Sequence, residues 1–522
     1  MIRLFRQMSL ISVVSLAACF ATLTMSWPTF GAEPVRGGTL NIAFRFTVAS
    51  LDPLFGNAPG VDRKIFNLFA ENLLYQDQSG NFHPVLAKSW KLSDDGKTLH
   101  FYLRPEVKFQ DGTPFDAEAV KFNLDRLLDP KVKAPASQYM ADLESVEVVD
   151  VLTVRLNLKR KSGVILAMLA VEPGSMVSPT AVKEKGADFS RAPVGTGPFQ
   201  IVSWSGNQMS AKRNPYYWRK GQDGQALPYL DQIEIKIIPN SAIRIVELQS
   251  GNTHLIDYLE TKDFEQVVKN PKLLLLEGAT AVTQLLAFNI KQAPFDNADL
   301  RRAVSYAINR VALEKMISKG NGSIMSGIEP NTTWVFDESV KGHQFDLVKA
   351  REAYAKSAHK GPIVLSAIQR DPDTQIAQLL QSMLKAAGIE LTLEMMDRQA
   401  WLSKVLSYQY GLGLLQASIA RPDPDVTYSD LFSAKAARNY AGYDAATTTD
   451  PLVSKARAEV DPAVRRKIYS QIQQHVIDNF YISPLFWRPI RDGASKRVQG
   501  IEREASMSWF YGDLWLSAAA EK

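Results

Sequence analysis

Cysteine is nearly missing from this chain of 522 residues; the single one is Cys19. No disulfide framework can form within it, and its length makes one unnecessary, because a chain this long buries enough apolar surface without covalent staples. Histidine is scarce as well, with six in all. None stands at metal-binding spacing from another, and His-Glu-x-x-His does not occur. There is no Gly-x-Ser-x-Gly elbow and no Gly-x-x-x-x-Gly-Lys-[Ser/Thr] phosphate loop. Gly195-Thr196-Gly197 lacks the third glycine of a dinucleotide fingerprint and runs straight into Pro198. It reads as a tight turn before a strand. A net charge of +5 is too small for the basic stripe of a nucleic-acid binder. Beyond the N-terminus no apolar run is long enough to span a bilayer. There is also no internal repeat and no low-complexity segment. A triad can be assembled from scattered residues, but a chain this long without one local chemical motif points away from an enzyme, a cofactor or a resident metal.

What the chain does have begins at its N-terminus. Arg3 and Arg6 precede an uncharged apolar stretch at 8–25, and the small residues Gly31 and Ala32 follow. That order is a secretory signal over residues 1–32, and it implies export. Trp27-Pro28 ends the apolar run, against a membrane anchor. Cleavage after Gly31 places Thr29 and Gly31 at the small positions. Leu16-Ala17-Ala18-Cys19 resembles a lipoprotein cleavage box, but the apolar stretch at 20–25 behind it favours a soluble mature protein, which then lacks cysteine altogether. Hydrophobic residues make up 46% and charged residues 22%, an ordinary globular balance. The length implies two or three subdomains.

Periodicity places the elements. Gly37-Gly38 opens a strand at 39–43, and 89–103 forms a hairpin turning at Ser93-Asp94-Asp95-Gly96. Asp116 caps a helix at 117–128, stopped by Pro130. A second strand pair spans 147–158. Ile233, Ile235 and Ile237 alternate with Glu234 and Lys236 in a half-buried strand at 231–238. Asp299 begins a helix with Leu300, Val304, Ala307 and Ile308 on one face. The clearest unit is 362–395: a strand at 362–369, a helix at 374–387 ended by Gly388, and a strand at 389–395. Strand–helix–strand implies parallel strands. Residues 412–418 read as the next strand, and in such sheets ligands bind beyond the carboxyl ends.

Ordered blocks then point to a family. They include Gly37-Gly38-Thr39-Leu40, Ser50-Leu51-Asp52-Pro53 and Pro84-Val85-Leu86-Ala87-Lys88-Ser89-Trp90. Pro193-Val194-Gly195-Thr196-Gly197-Pro198-Phe199, Arg213-Asn214-Pro215-Tyr216-Tyr217-Trp218 and the segment 301–310 continue the series. The chain resembles the family 5 solute-binding proteins of ABC importers. The resemblance implies an α/β, two-lobed periplasmic-binding-protein fold, type II-like with an extra subdomain, and a ligand cleft between lobes. One lobe is expected at 36–285 plus 488–522, with the subdomain near 77–212, and the other at 286–487. It also implies a periplasmic monomer that closes about a hinge on a small molecule and delivers it to a permease of two membrane subunits with ATPases. An exported hydrolase or a ligand sensor on the same frame is the alternative.

For the ligand, Gln369-Arg370 resembles the pair whose arginine holds the ligand carboxylate in dipeptide binders. Arg370 follows a strand directly and precedes a helix N-terminus, a favourable seat for an anion. The competing reading of Arg370 is a salt bridge to Asp371 or Asp373. In peptide binders the segment before an Asp-Pro pair resembles Gly-Trp-x-x-Asp-x-x-[Asp/Glu]-Pro, whose first acid pairs with the peptide ammonium. Aligned on Asp423-Pro424, Ala420 takes that position and Ala417 the tryptophan. Arg421 adds positive charge nearby. Asp423 or Asp425 can compensate only from a shifted position. The expected ligand-binding set is Arg370, Gln369, Arg421, Asp423, Gln416, Ala417, Ser418 and Ala420, with Thr47, Val48 and Ala49 from the other lobe. The expected ligand is peptide-like, an opine, or a sugar-phosphate opine of the agrocinopine kind.

Overall fold

The computed structural model describes residues 33–56, 61–276, 281–331, 333–418, 423–436, 438–504 and 508–518. Two large sheets organise these residues. The first has seven strands, with Thr39–Phe44 at its centre, flanked in parallel by Gln232–Ile237 and Leu255–Leu259. Leu40, Ile42, Ile233 and Ile235 are buried, as strand alternation requires. Gly37 and Gly38 enter this strand at φ +96° and +86°, a backbone region that a side chain disfavours.

A smaller antiparallel sheet of four strands stands apart: Ala87–Leu92, Thr98–Leu103, Thr153–Leu158 and Leu143–Asp150. The hairpin and strand pair read from the sequence are both here. The helix Ala117–Leu128 is capped as expected, with Asp116 accepting from the Ala119 amide at 2.9 Å. Its Val120, Leu124 and Leu127 pack with Phe101 and Leu156 in a core of their own.

The second large sheet has six strands, in the order Ser323–Ile324, Ile482–Pro489, Ala281–Phe288, Leu412–Ser418, Ile363–Ile368 and Leu391–Met396. The last three run parallel to one another. The chain passes between the two large sheets twice, between Leu276 and Ala281 and again at Ile490. Helix Asp373–Ala386 buries Ile376, Ala377, Leu380 and Leu384 against the parallel strands. It starts one residue earlier than its periodicity suggests and ends at Ala386; Gly388, at φ +84°, closes the turn behind it. Ile389 is buried but precedes the strand. The helix Ala298–Ala307 is capped by Asn297, not opened by Asp299; Asn297 Oδ1 accepts from the Asp299 and Leu300 amides. Ile308 leaves that helix in an extended conformation yet stays buried.

Candidate functional site

The carboxyl ends of the parallel strands define one edge of the second sheet, and Arg370 sits there, two residues beyond Ile368. Its side chain is about one third exposed. Nε donates to Asp373 Oδ2 at 3.0 Å and Nη2 donates to Gln416 Oε1 at 2.7 Å. Gln416 Nε2 donates in turn to Asp373 Oδ1 at 2.6 Å. The three side chains thus close a ring that fixes the guanidinium plane. Asp373 lies in the first turn of its helix, where a carboxylate is favoured. Burial pushes its carboxyl up, while Arg370, Gln416 and the charge of Arg488 pull it back part of the way. The salt bridge to Asp373 is therefore formed, and the helix N-terminus expected to receive a ligand anion already holds a carboxylate of its own.

Of the other sequence candidates, Gln369 is exposed and pairs its amide with Met396 O. Ala417 and Ser418 pair in backbone register with Thr283 and Val282. Ala420 and Arg421 lie outside the described residues. Thr47 and Ala49 are exposed on the segment that follows Thr39–Phe44, whereas the Val48 side chain is buried in the core of the first sheet.

Asp423 has a different role. Its two oxygens accept from Arg465 Nη1 at 2.8 Å and Nη2 at 2.6 Å, and it is 2% exposed. Asp425 does the same with Arg457, with Nη2 to Oδ2 at 2.6 Å. Both carboxylates already have internal counter-charges.

Three charged groups missed in the sequence join the two large sheets at this edge. Glu260, just past Leu255–Leu259, lies 3.6 Å from Arg45 and 3.7 Å from Arg488. Arg45 follows the central strand of the first sheet and stacks over Phe46 and Tyr258 at 4.7 Å and 4.4 Å. Arg488 belongs to Ile482–Pro489, whose eight residues are all buried. An arginine inside so apolar a strand was a readable signal, because a buried guanidinium needs a partner. Arg45 and Arg488 therefore meet at Glu260, while Arg370 is paired with Asp373.

A cavity of about 400 Å³ lined by Tyr75, Arg104, Trp218 and Phe510 shares none of these residues. Among the described residues no cluster of His, Cys, Asp or Glu is arranged to hold a metal ion. No helix among them is long and apolar enough to cross a membrane.

Residues 81–439 match the family model for bacterial extracellular solute-binding proteins, family 5 Middle. The chain is 28% identical over 493 residues to the glutathione-binding protein GsiB of Shigella flexneri, covering 92% of this chain and 94% of that one. Among solved structures, AgaA of A. tumefaciens R10, in complex with agropinic acid, superimposes with a TM-score of 0.76 at 25% identity. The match covers 92% of this chain and 99% of AgaA. NikA of Brucella suis, in complex with Fe(III)-EDTA, gives 0.81 at 23% identity, over 92% and 100% of the two chains. These neighbours share the two-lobed periplasmic-binding-protein fold. Proteins of this family are periplasmic. They are transport components, not enzymes, and deliver small ligands to the permease and ATPase components of an ABC importer. The chain belongs to the bacterial extracellular solute-binding proteins of family 5, as the substrate-binding component of such an importer.

Proposed function

We propose that this protein captures an anionic, peptide-like or opine-like solute in the crevice between its lobes, with the carboxylate or phosphate held at Arg370. The observation that carries the reading is the contrast at one sheet edge: a partly exposed guanidinium held in plane by Asp373 and Gln416, beside Asp423 and Asp425, each already paired with an arginine. A ligand ammonium would find neither of these carboxylates available, and a buried ammonium without a counter-charge is costly. An anion meets an oriented guanidinium, and a planar fork suits carboxylate and phosphate alike. The names of the relatives agree with an anionic solute, since glutathione and agropinic acid both carry carboxylates. Glutathione also carries an ammonium, so agropinic acid is the closer match to the reading. The lobes are inferred to divide between Leu276 and Ala281 and at Ile490. Arg370, Gln369, Gln416, Ala417, Ser418, Ala420 and Arg421, with Thr47 and Ala49 from the other lobe, are proposed as the lining; Asp423 and Val48 serve the frame.

Calorimetry with reduced glutathione, agropinic acid, mannopinic acid and the dipeptide Met-Leu tests the reading. Tighter binding of one of the first three than of Met-Leu is expected. Submicromolar binding of Met-Leu that disappears on acetylating its amine overturns the reading.

A further inference from the structure

The 159–164 loop, between the strand Thr153–Leu158 and the helix Ile165–Leu169, belongs to the small four-stranded subdomain. Asp142 shapes it: Arg160 Nε donates to Oδ1 at 2.7 Å, Ser162 Oγ to Oδ2 at 3.0 Å, and the Lys159 amide to the Asp142 carbonyl at 2.9 Å. Held this way, the loop presents Gly163 to the other lobe. There the helix Asp450–Ala458 ends, leaving carbonyls without intrahelical partners. The Gly163 amide donates to one of them, Arg457 O, at 2.7 Å. In return Arg465 Nη1 donates to Gly163 O at 3.4 Å. Both polar groups of one peptide unit are thus engaged across the gap.

The approach is too close for a side chain. A Cβ added at Gly163 would lie 1.6 Å from Glu459 O, whereas real Cβ contacts essentially never fall below 3.0 Å. Gly163 is not in the left-handed region, so its own backbone conformation does not demand glycine; the approach does. Lys161 adds charge attraction to Glu459, and Val426 of the second lobe packs into the subdomain core. Arg457 and Arg465 are held in place by Asp425 and Asp423.

We infer that this contact is a closure latch, with the Gly163 peptide unit gripped by the end of the 450–458 helix and by Arg465 when the lobes come together. The Asp423-Pro424-Asp425 segment serves the latch by orienting its two arginines. The latch rests on the solute-capture reading for its trigger, but not on which solute is captured.

The experiment is amide hydrogen exchange read by mass spectrometry, on the protein as isolated and with each of the four compounds above. In the wild type, 159–164 and 455–461 should gain protection together. In Gly163→Ala both segments should exchange at least tenfold faster, and any measured affinity should fall at least tenfold, while the unliganded melting temperature stays unchanged. Lys161→Glu, an exposed change that leaves folding intact, should move both segments in the same direction by less. Equal protection in wild type and Gly163→Ala overturns the latch, as does a wild type unprotected at both segments in every condition. Joint protection that Gly163→Ala removes, with Met-Leu the tightest-bound compound of the panel, sinks the ligand reading and leaves the latch standing.

Discussion

Two clusters of arginine and aspartate lie at the same edge of the second sheet, and they differ in what is left over. The Arg370 side chain is about one third exposed, and its guanidinium shares its Asp373 partner with Gln416. Around Asp423 and Asp425 the carboxylates are 2% and 3% exposed, and each closes on one arginine. A sealed pair mostly holds structure, because breaking it strands a charge away from water. A partly open cluster can still bind something. Exposure, more than residue type, separates the two clusters.

The largest effect expected is on the sealed cluster. Arg465→Ala leaves Asp423 buried without its counter-charge, which should cost about 3–5 kcal/mol of stability. A chemical denaturation midpoint that barely moves would remove the distinction between the two clusters.

Next comes Glu329, near Asp423 and fully buried. Its carboxyl is pushed up to about 7, first by burial, with the Asp423 charge adding to the rise and Thr333 opposing it. The folded state therefore holds a proton that the unfolded chain gives up near the ordinary carboxyl value. Stability should be greatest below that value and fall as pH rises toward 7, by up to about 3 kcal/mol. Glu329→Gln should flatten this slope, which denaturation at pH 5 and pH 8 measures. An unchanged slope would mean that Glu329 is not the titrating group.

Arg370→Ala sharpens the comparison from the open side. Loss of one charge-assisted hydrogen bond should weaken binding by about 1.5–3 kcal/mol, roughly tenfold to a hundredfold. Unlike a bare anchor, this variant should also lower the melting temperature, because Asp373 loses its ion pair. Arg370→Lys should restore part of the stability and less of the affinity, since an ammonium cannot keep the planar fork. Calorimetry with the best-bound compound, alongside thermal melts, reads both. Unchanged affinity in the alanine variant would take Arg370 out of the site. The smallest effect is at the surface: removing the exposed Lys269–Glu265 pair with Lys269→Ala should leave the melting temperature where it was.

The elements legible in the sequence were those with local causes. Asp116 caps its helix through an amide three residues on, and Ile233 and Ile235 alternate inward because a strand has a period of two. Gly388 marks the end of the 373–386 helix for the same kind of reason. The family was legible from short blocks in order, none of which needed the fold. The candidate site was only partly legible. Arg370 and Gln416 stand at the strand ends where periodicity put them, but Arg370 was expected to be free for a ligand, and the competing pair with Asp373 is the one that forms.

Composition, periodicity and ordered blocks determined that this is an α/β binding protein and which segments are strands and helices, because each depends on residues a few positions apart. The tertiary structure decided how the charges pair. Arg370 meets Gln416 across 46 residues and Arg465 reaches Gly163 across 302. Glu260 bridges arginines from both large sheets, and nothing local distinguishes it from any other surface glutamate. Which charge is sealed and which stays partly exposed depends on burial, and burial is a property of the packed chain rather than of its neighbours in sequence.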